Sequence, residues 1–230
     1  MKIAFIILVT VFSLSTSAQE FEFNYHEDFV KILDLTNDAN SDLYFENLLP
    51  RFKTNDETLT DFEVLALMIG FTDNKNYKPY ATMMVWGDMI GLMNKKKYKK
   101  ALKICDEHLA LSPLDQEILF LKPYIHQQLG QMDSSDHYNW QWKKIMSAME
   151  KSGDGLTAET AYFALGPMDG QNFIRKYLKK DIGSMGSGAD QYGNFVDMLE
   201  ITKKNPETGK TERTMIYFQI QHAVERMFVN

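Results

Sequence analysis

Three residues in one short segment have the types and spacing for acid–base chemistry. Asp154, Thr157 and Glu159 fall in and just after Ser152-Gly-Asp-Gly155, a run with the composition of a tight turn. Two carboxylates this close can divide the work of general acid and general base. Thr157 would then be a polar ligand in the same cleft, or the cap of the element that follows. A calcium loop needs further oxygen ligands at fixed offsets, and those are absent here. A purely structural turn is the plainer reading of the same residues.

Other constellations dissolve on inspection. Cys105 and His108 make Cys-x-x-His on one helical face, and His222 with Glu225 repeats the geometry near the C-terminus. A metal needs two more ligands in each case, and no second Cys exists, so packing is expected and no metal or other cofactor is implied. Met83, Met84, Met89 and Met93 lack interleaved His, which makes them core filler rather than a copper site. Gly183-Ser-Met-Gly-Ser-Gly188 is not followed by Gly-Lys-Ser/Thr, so it reads as a mobile loop rather than a phosphate cradle. No nucleophile motif or triad spacing emerges, and no catalytic residue is assigned. Aromatic residues offer a different chemistry, that of partner contact. Trp140 lies about 200° round its helix from Trp142, so the two cannot share a face. Trp140 either packs against the second half or is an exposed anchor; with Tyr77 and Tyr80 it is a candidate to touch a partner.

The elements that position these residues fall into two halves. The chain opens with Met1-Lys2, an apolar run from Ile3 to Leu14, and Ser15-Thr-Ser-Ala18. That is the pattern of a secretory leader cut after Ala18, too short for a bilayer span of about 20 residues. The protein is therefore expected outside the cytoplasm, periplasmic or secreted, with no membrane span after cleavage. With 25 Lys and Arg against 31 Asp and Glu the net charge is −6, and loss of Lys2 with the leader makes it −7. Such an acidic chain is a poor ligand for nucleic acid, whose phosphates select basic faces. Residues 19–150 read in helical period. Phe29, Ile32 and Leu33 mark one helix, and Tyr44, Leu48 and Phe52 a second that begins near Ser41 and ends or kinks at Pro50. Thr60 and Glu63 form a capping box ahead of Val64. Residues 151–230 shift towards period two. Phe195, Leu199 and Ile201, then Ile216, Phe218 and Ile220, predict antiparallel strands across a turn at 205–209, with short helices beside them. The fold class is α+β: a helical body, then a small antiparallel sheet packed on it.

Two resemblances accompany this reading. Ala101, Cys105, His108 and Pro113, followed by Leu119 and Gly130, resemble the helix pair of a tetratricopeptide repeat, which implies helical hairpins within residues 97–150. Leu49-Pro-Arg-Phe52 with Asp56, Leu59 and Thr60 is one of several strings similar to a bacterial family known as domain of unknown function 4919. The others are Gly70-Phe71 with Tyr77, Pro79 and Tyr80; Ser152-Gly-Asp-Gly155 with Glu159 to Ala161; and Tyr192, Phe195 and Ile216-Tyr-Phe218. That resemblance implies an exported protein with a helical body and a small sheet, and no established activity. The leading expectation is an exported interaction or scaffold module that holds a protein or peptide. The alternative is a small-ligand-binding protein or hydrolase-type enzyme with its cleft between the halves. A third reading lets the edge of the hairpin add to another sheet.

Overall fold

The computed structural model describes residues 21–204, 209 and 211–228. The expected leader, residues 1–18, and the turn at 205–208 lie outside them. Seven helices precede the first strand among the described residues: α1 Tyr25–Asn37, α2 Phe45–Lys53, α3 Asp61–Thr72, α4 Thr82–Asn94, α5 Tyr98–Leu111, α6 Gln116–Gln128 and α7 Met132–Lys151. Strand β1 (Tyr162–Phe163) follows, then helix α8 (Pro167–Asn172), which runs into a π-helical turn at Phe173–Tyr177. Strands β2 (Asp181–Ala189), β3 (Phe195–Lys204) and β4 (Thr211–Gln219) and helix α9 (Gln221–Phe228) complete the order. The protein is α+β, with its helical body first. No helix among the described residues is long and apolar enough to cross a membrane.

Helix α3 is the centre of the helical body. Its start is set by the capping box read from the sequence: Glu63 N donates to Thr60 Oγ1 (3.1 Å), and Thr60 N donates to Glu63 Oε2 (2.7 Å). Arg51 fixes that carboxylate from α2, pairing with Glu63 at 2.5 Å and with Asp56 at 2.7 Å. From Val64 to Thr72 every residue of α3 is buried, so α1, α2 and α7 must surround it. Helix α2 begins at Phe45, later than expected, and carries Pro50 inside its last turn.

One core runs from this helix into the sheet. Phe52, Met68, Ile145 and Met149 belong to the same apolar cluster as Phe163, Phe173, Leu199 and Phe218. Burying a large side chain of this kind contributes about 1.5–3 kcal/mol, so the cluster ties helices to strands. A smaller cluster, Met89, Ala101, Cys105, Ile118 and Ile125, joins α4, α5 and α6. There Cys105 Sγ lies 3.3 Å from Met89 Sδ. The expectation of core filler fails for Met83 and Met84, which are 63% and 84% exposed. They occupy the first turn of α4, ahead of the residues that contact α5.

The sheet order is β1-β4-β3-β2. Strands β2, β3 and β4 are antiparallel, but β1 runs parallel to β4 with Tyr162 opposite Phe218. The sheet is therefore mixed rather than wholly antiparallel, because α7 delivers β1 to the far side of β4. The expected mobile loop at Gly183–Gly188 is instead the middle of β2, paired with β3 from Met185↔Leu199 to Ala189↔Phe195. Its glycines hide the alternation that marks a strand, while the cross-strand ladder that makes it one is not local.

Candidate functional site

The loop between α3 and α4, residues 73–81, is held from three sides. Tyr77 is 2% exposed, and its hydroxyl donates to the Leu165 carbonyl at 2.5 Å. Arg226 on α9 donates through Nε to the Tyr77 carbonyl (3.3 Å) and through Nη2 to that of Asn74 (3.1 Å). Gly166 comes so near that a Cβ there would stand 2.9 Å from the Pro79 carbonyl oxygen. Burial, and secondarily the charge of Asp169, raises the pKa of the Tyr77 phenol, so it stays a donor.

This clamp leaves a groove of about 540 Å³ between the loop and α9. Tyr77 forms its floor, with Pro79, Tyr80, Met84 and Met227 as apolar walls. Lys75, Lys78 and Arg226 supply three cations, and no carboxylate among the described residues lines it. The two carbonyls accept from Nε and Nη2 of Arg226 without cancelling its charge. Tyr80 is half-buried, and burial together with Asp197 raises its pKa. An apolar trough ringed by cations suits an anionic group on an apolar body.

The structure thus brings Tyr77 and Tyr80 together and leaves the other sequence candidates apart from them. Trp140 is half-buried on α7 with its ring centroid 6.2 Å from that of Phe52. A second groove of about 270 Å³ is lined by its neighbours His137, Tyr138 and Gln141, not by Trp140. Asp154 and Thr157 are both exposed along one turn, with Glu159 half-buried beside them. The Asp154 carboxylate accepts from Thr160 Oγ1 (2.5 Å) and from Leu156 N (2.9 Å). Those bonds hold its pKa below the usual carboxylate range and close a turn. Thr157 Oγ1 lies 3.0 Å from Thr160 Oγ1 within that same turn.

Sequence reasoning missed a buried polar cluster where α6 meets α8. Asp169 Oδ2 accepts from Gly166 N at 2.8 Å, fixing the start of α8 behind Pro167. Part of the residue reaches the surface, yet its carboxyl is enclosed. Burial first, then the charges of Asp115 and Glu117, raises its pKa to about 8. Lys176, in the π-helical turn, pairs with Glu117 and lies 4.5 Å from the Phe120 ring centroid. Burial lowers the lysine's pKa and Glu117 opposes that shift. Asp115 caps α6 through Ile118 N (3.0 Å) and pairs with His108 at 2.7 Å. Asn172 shares the helix face of Asp169 and Lys176, and its buried Nδ2 has no hydrogen-bond partner among the described residues. Displaced carboxyl pKa values and π-turns both concentrate at working sites. Gly166-Pro-Met-Asp169 marks the cap in the sequence, but nothing there reveals carboxylates arriving from α6. Among the described residues, no three His, Cys, Asp or Glu side chains are grouped to hold a metal ion.

No curated protein and no solved structure matches the chain. A family model, described as Domain of unknown function (DUF4919), matches residues 30–228, from within α1 to the end of α9. That span takes in the clamped loop, the groove and the polar cluster alike, and the chain belongs to this family.

Proposed function

We propose that this chain is an exported protein-interaction module. Its groove between residues 73–81 and α9 takes an acidic peptide segment carrying an apolar side chain from a partner protein. One observation carries the reading: Lys75, Lys78 and Arg226 ring an apolar trough in a chain whose net charge is −6. Cations gathered there against the overall balance favour an anionic visitor, while Tyr80, Met84 and Met227 give it apolar area. The repeat-like stretch agrees with such a role, because α5, α6 and α7 pack in chain order as successive hairpins. Fluorescence anisotropy with labelled peptides alternating Glu with Leu or Phe tests the proposal. The double variant Lys75→Glu/Lys78→Glu should bind at least about tenfold more weakly, and added salt should weaken the wild type. Equal binding by the variant, or preference for the lysine version of the peptide, would defeat it.

The alternative, a small-ligand-binding protein or hydrolase-type enzyme with a cleft between the halves, draws on Asp169, Glu117 and Lys176. These meet between α6 of the helical half and α8 of the sheet-bearing half. A thermal-shift panel of small amines and carboxylates supports this reading only if a hit loses its effect in Glu117→Gln.

A further inference from the structure

Strand β2 ends the sheet, with β3 on one side and no described strand on the other. Its outward N–H and C=O groups are the template that sheets ordinarily block with lysine, proline or a covering element. Here the blocking residues are missing. Between Ile182 and Ala189 the strand holds only glycine, serine, methionine and alanine, and all but Ile182 and Gly188 are exposed. A register shift lies between Ile182 and Met185, but pairing with β3 is regular from Met185 to Ala189.

Two further features say what fits. Apolar area is open here: Met185 on the edge strand is 58% exposed, with Tyr192 in the turn that follows (48%, stacked on His26) and Phe195 on the neighbouring β3 (37%) close by. The charges are also polar along the strand. Lys179 and Lys180 stand just before it, with Arg213 of β4 nearby, opposite Thr202, the partner of Asp181. Asp190 and Asp197 stand at the other end, where Ser187 Oγ donates to Asp197 Oδ1 at 2.9 Å. Asp181 at the first end and Glu200, 3.4 Å from Arg213, temper the contrast without reversing it. Antiparallel pairing of this strand with itself lays the basic end of one copy beside the acidic end of the other. A two-fold axis imposes that arrangement, and the small side chains let the backbones approach.

We propose that the open edge of β2 is a self-association site, where a second copy of this chain pairs antiparallel to form one sheet continuous across a two-fold axis. The pairing uses backbone hydrogen bonds, buries Met185 against its counterpart near the axis, and joins ends of opposite charge. It leaves the groove beside α9 free in both copies.

Analytical ultracentrifugation over a wide concentration range, combined with amide exchange on the full chain, tests this. The wild type should show a concentration-dependent dimer, with exchange at residues 183–189 slowed as dimer forms. Met185→Lys puts two like charges near the axis and should weaken dimerisation by about tenfold or more. Because Met185 is largely exposed, the variant should keep the wild-type circular dichroism and melting temperature. A chain that stays monomeric at millimolar concentration overturns the proposal. So does a dimer whose protected amides lie elsewhere, or one that Met185→Lys leaves intact. Lys75→Glu/Lys78→Glu should not alter the dimer, which keeps this test separate from that of the groove.

Discussion

Replacing Asp169 by Asn should make the protein more stable at alkaline pH and change little in acid. The Asp169 carboxyl carries a pKa raised from 3.8 to about 8 by burial and by Asp115 and Glu117. A group protonated in the folded chain while ionised in the unfolded one makes the native state bind the extra proton. Stability then falls as pH rises, beginning near 4 and levelling off above about 8. At 1.36 kcal/mol per pKa unit the full displacement corresponds to a ceiling of about 6 kcal/mol. Local relaxation, with water drawn in around Lys176 once the carboxyl ionises, should reduce it to about 2–3 kcal/mol. The side-chain amide of the variant would keep an oxygen to accept from Gly166 N, so the start of α8 should survive. Urea denaturation of both proteins at pH 4.5, 6, 7.5 and 8.5 reads the difference directly, because titrations common to both cancel. The variant's advantage should grow through that series. A gap constant to within about 0.5 kcal/mol would show that the carboxyl is not held protonated, and the account of the cluster would fall.

Three further outcomes follow from the same structure. His222 donates from Nε2 to the Ala164 carbonyl at 2.9 Å, its ring stacked 4.7 Å from that of Phe163. Burial lowers its pKa to about 3, so the unfolded chain alone gains a proton as pH falls from 6.5 towards 3, and stability drops across that window. His222→Gln should flatten that acid limb in thermal melts; an unchanged slope would reject the assignment. Gly166→Ala forces a methyl against the Pro79 carbonyl and should cost about 1–3 kcal/mol, seen as a lower urea midpoint, whereas an unaltered midpoint would mean the clamp on the loop is slack. Cys105 is fully buried with its thiol pushed up to about 12, so modification by a disulfide reagent at pH 8 should proceed only at the rate of unfolding. Reaction of the native protein at the rate of a free thiol would contradict that packing.

What the sequence disclosed was local, and what it concealed was set by distant partners. Thr60 and Glu63 bond within one turn, so the capping box and the start of α3 could be read directly. The change of period at Lys151–Ser152 likewise marks the end of α7, and Phe195, Leu199, Ile216 and Phe218 alternate as β3 and β4 require. Glycine-rich β2 could not be read this way, since its identity lies in the ladder to β3. Met83 and Met84 look the same in sequence as buried Met89, because α4 is apolar on nearly every side and only the position of α5 decides which face is covered. Tyr77 and Tyr80, three residues apart in one loop, part company for the same reason: Leu165 claims one hydroxyl while the other ring lines open space.

Asp169 makes the point for the site as a whole. Its own neighbourhood, Gly166-Pro-Met-Asp169, announces a helix start, and a capping carboxylate in isolation prefers to be ionised. The opposite tendency comes from Asp115 and Glu117, some fifty positions earlier, which α6 brings up against α8. Lys176 answers Glu117 from the π-helical turn, leaving Asp169 the carboxyl that must keep its proton. The groove obeys the same logic in reverse: Lys75, Lys78 and Arg226 are ordinary surface cations in sequence, and become a site only because Arg226 crosses to the carbonyls of Asn74 and Tyr77 and fixes α9 over that loop.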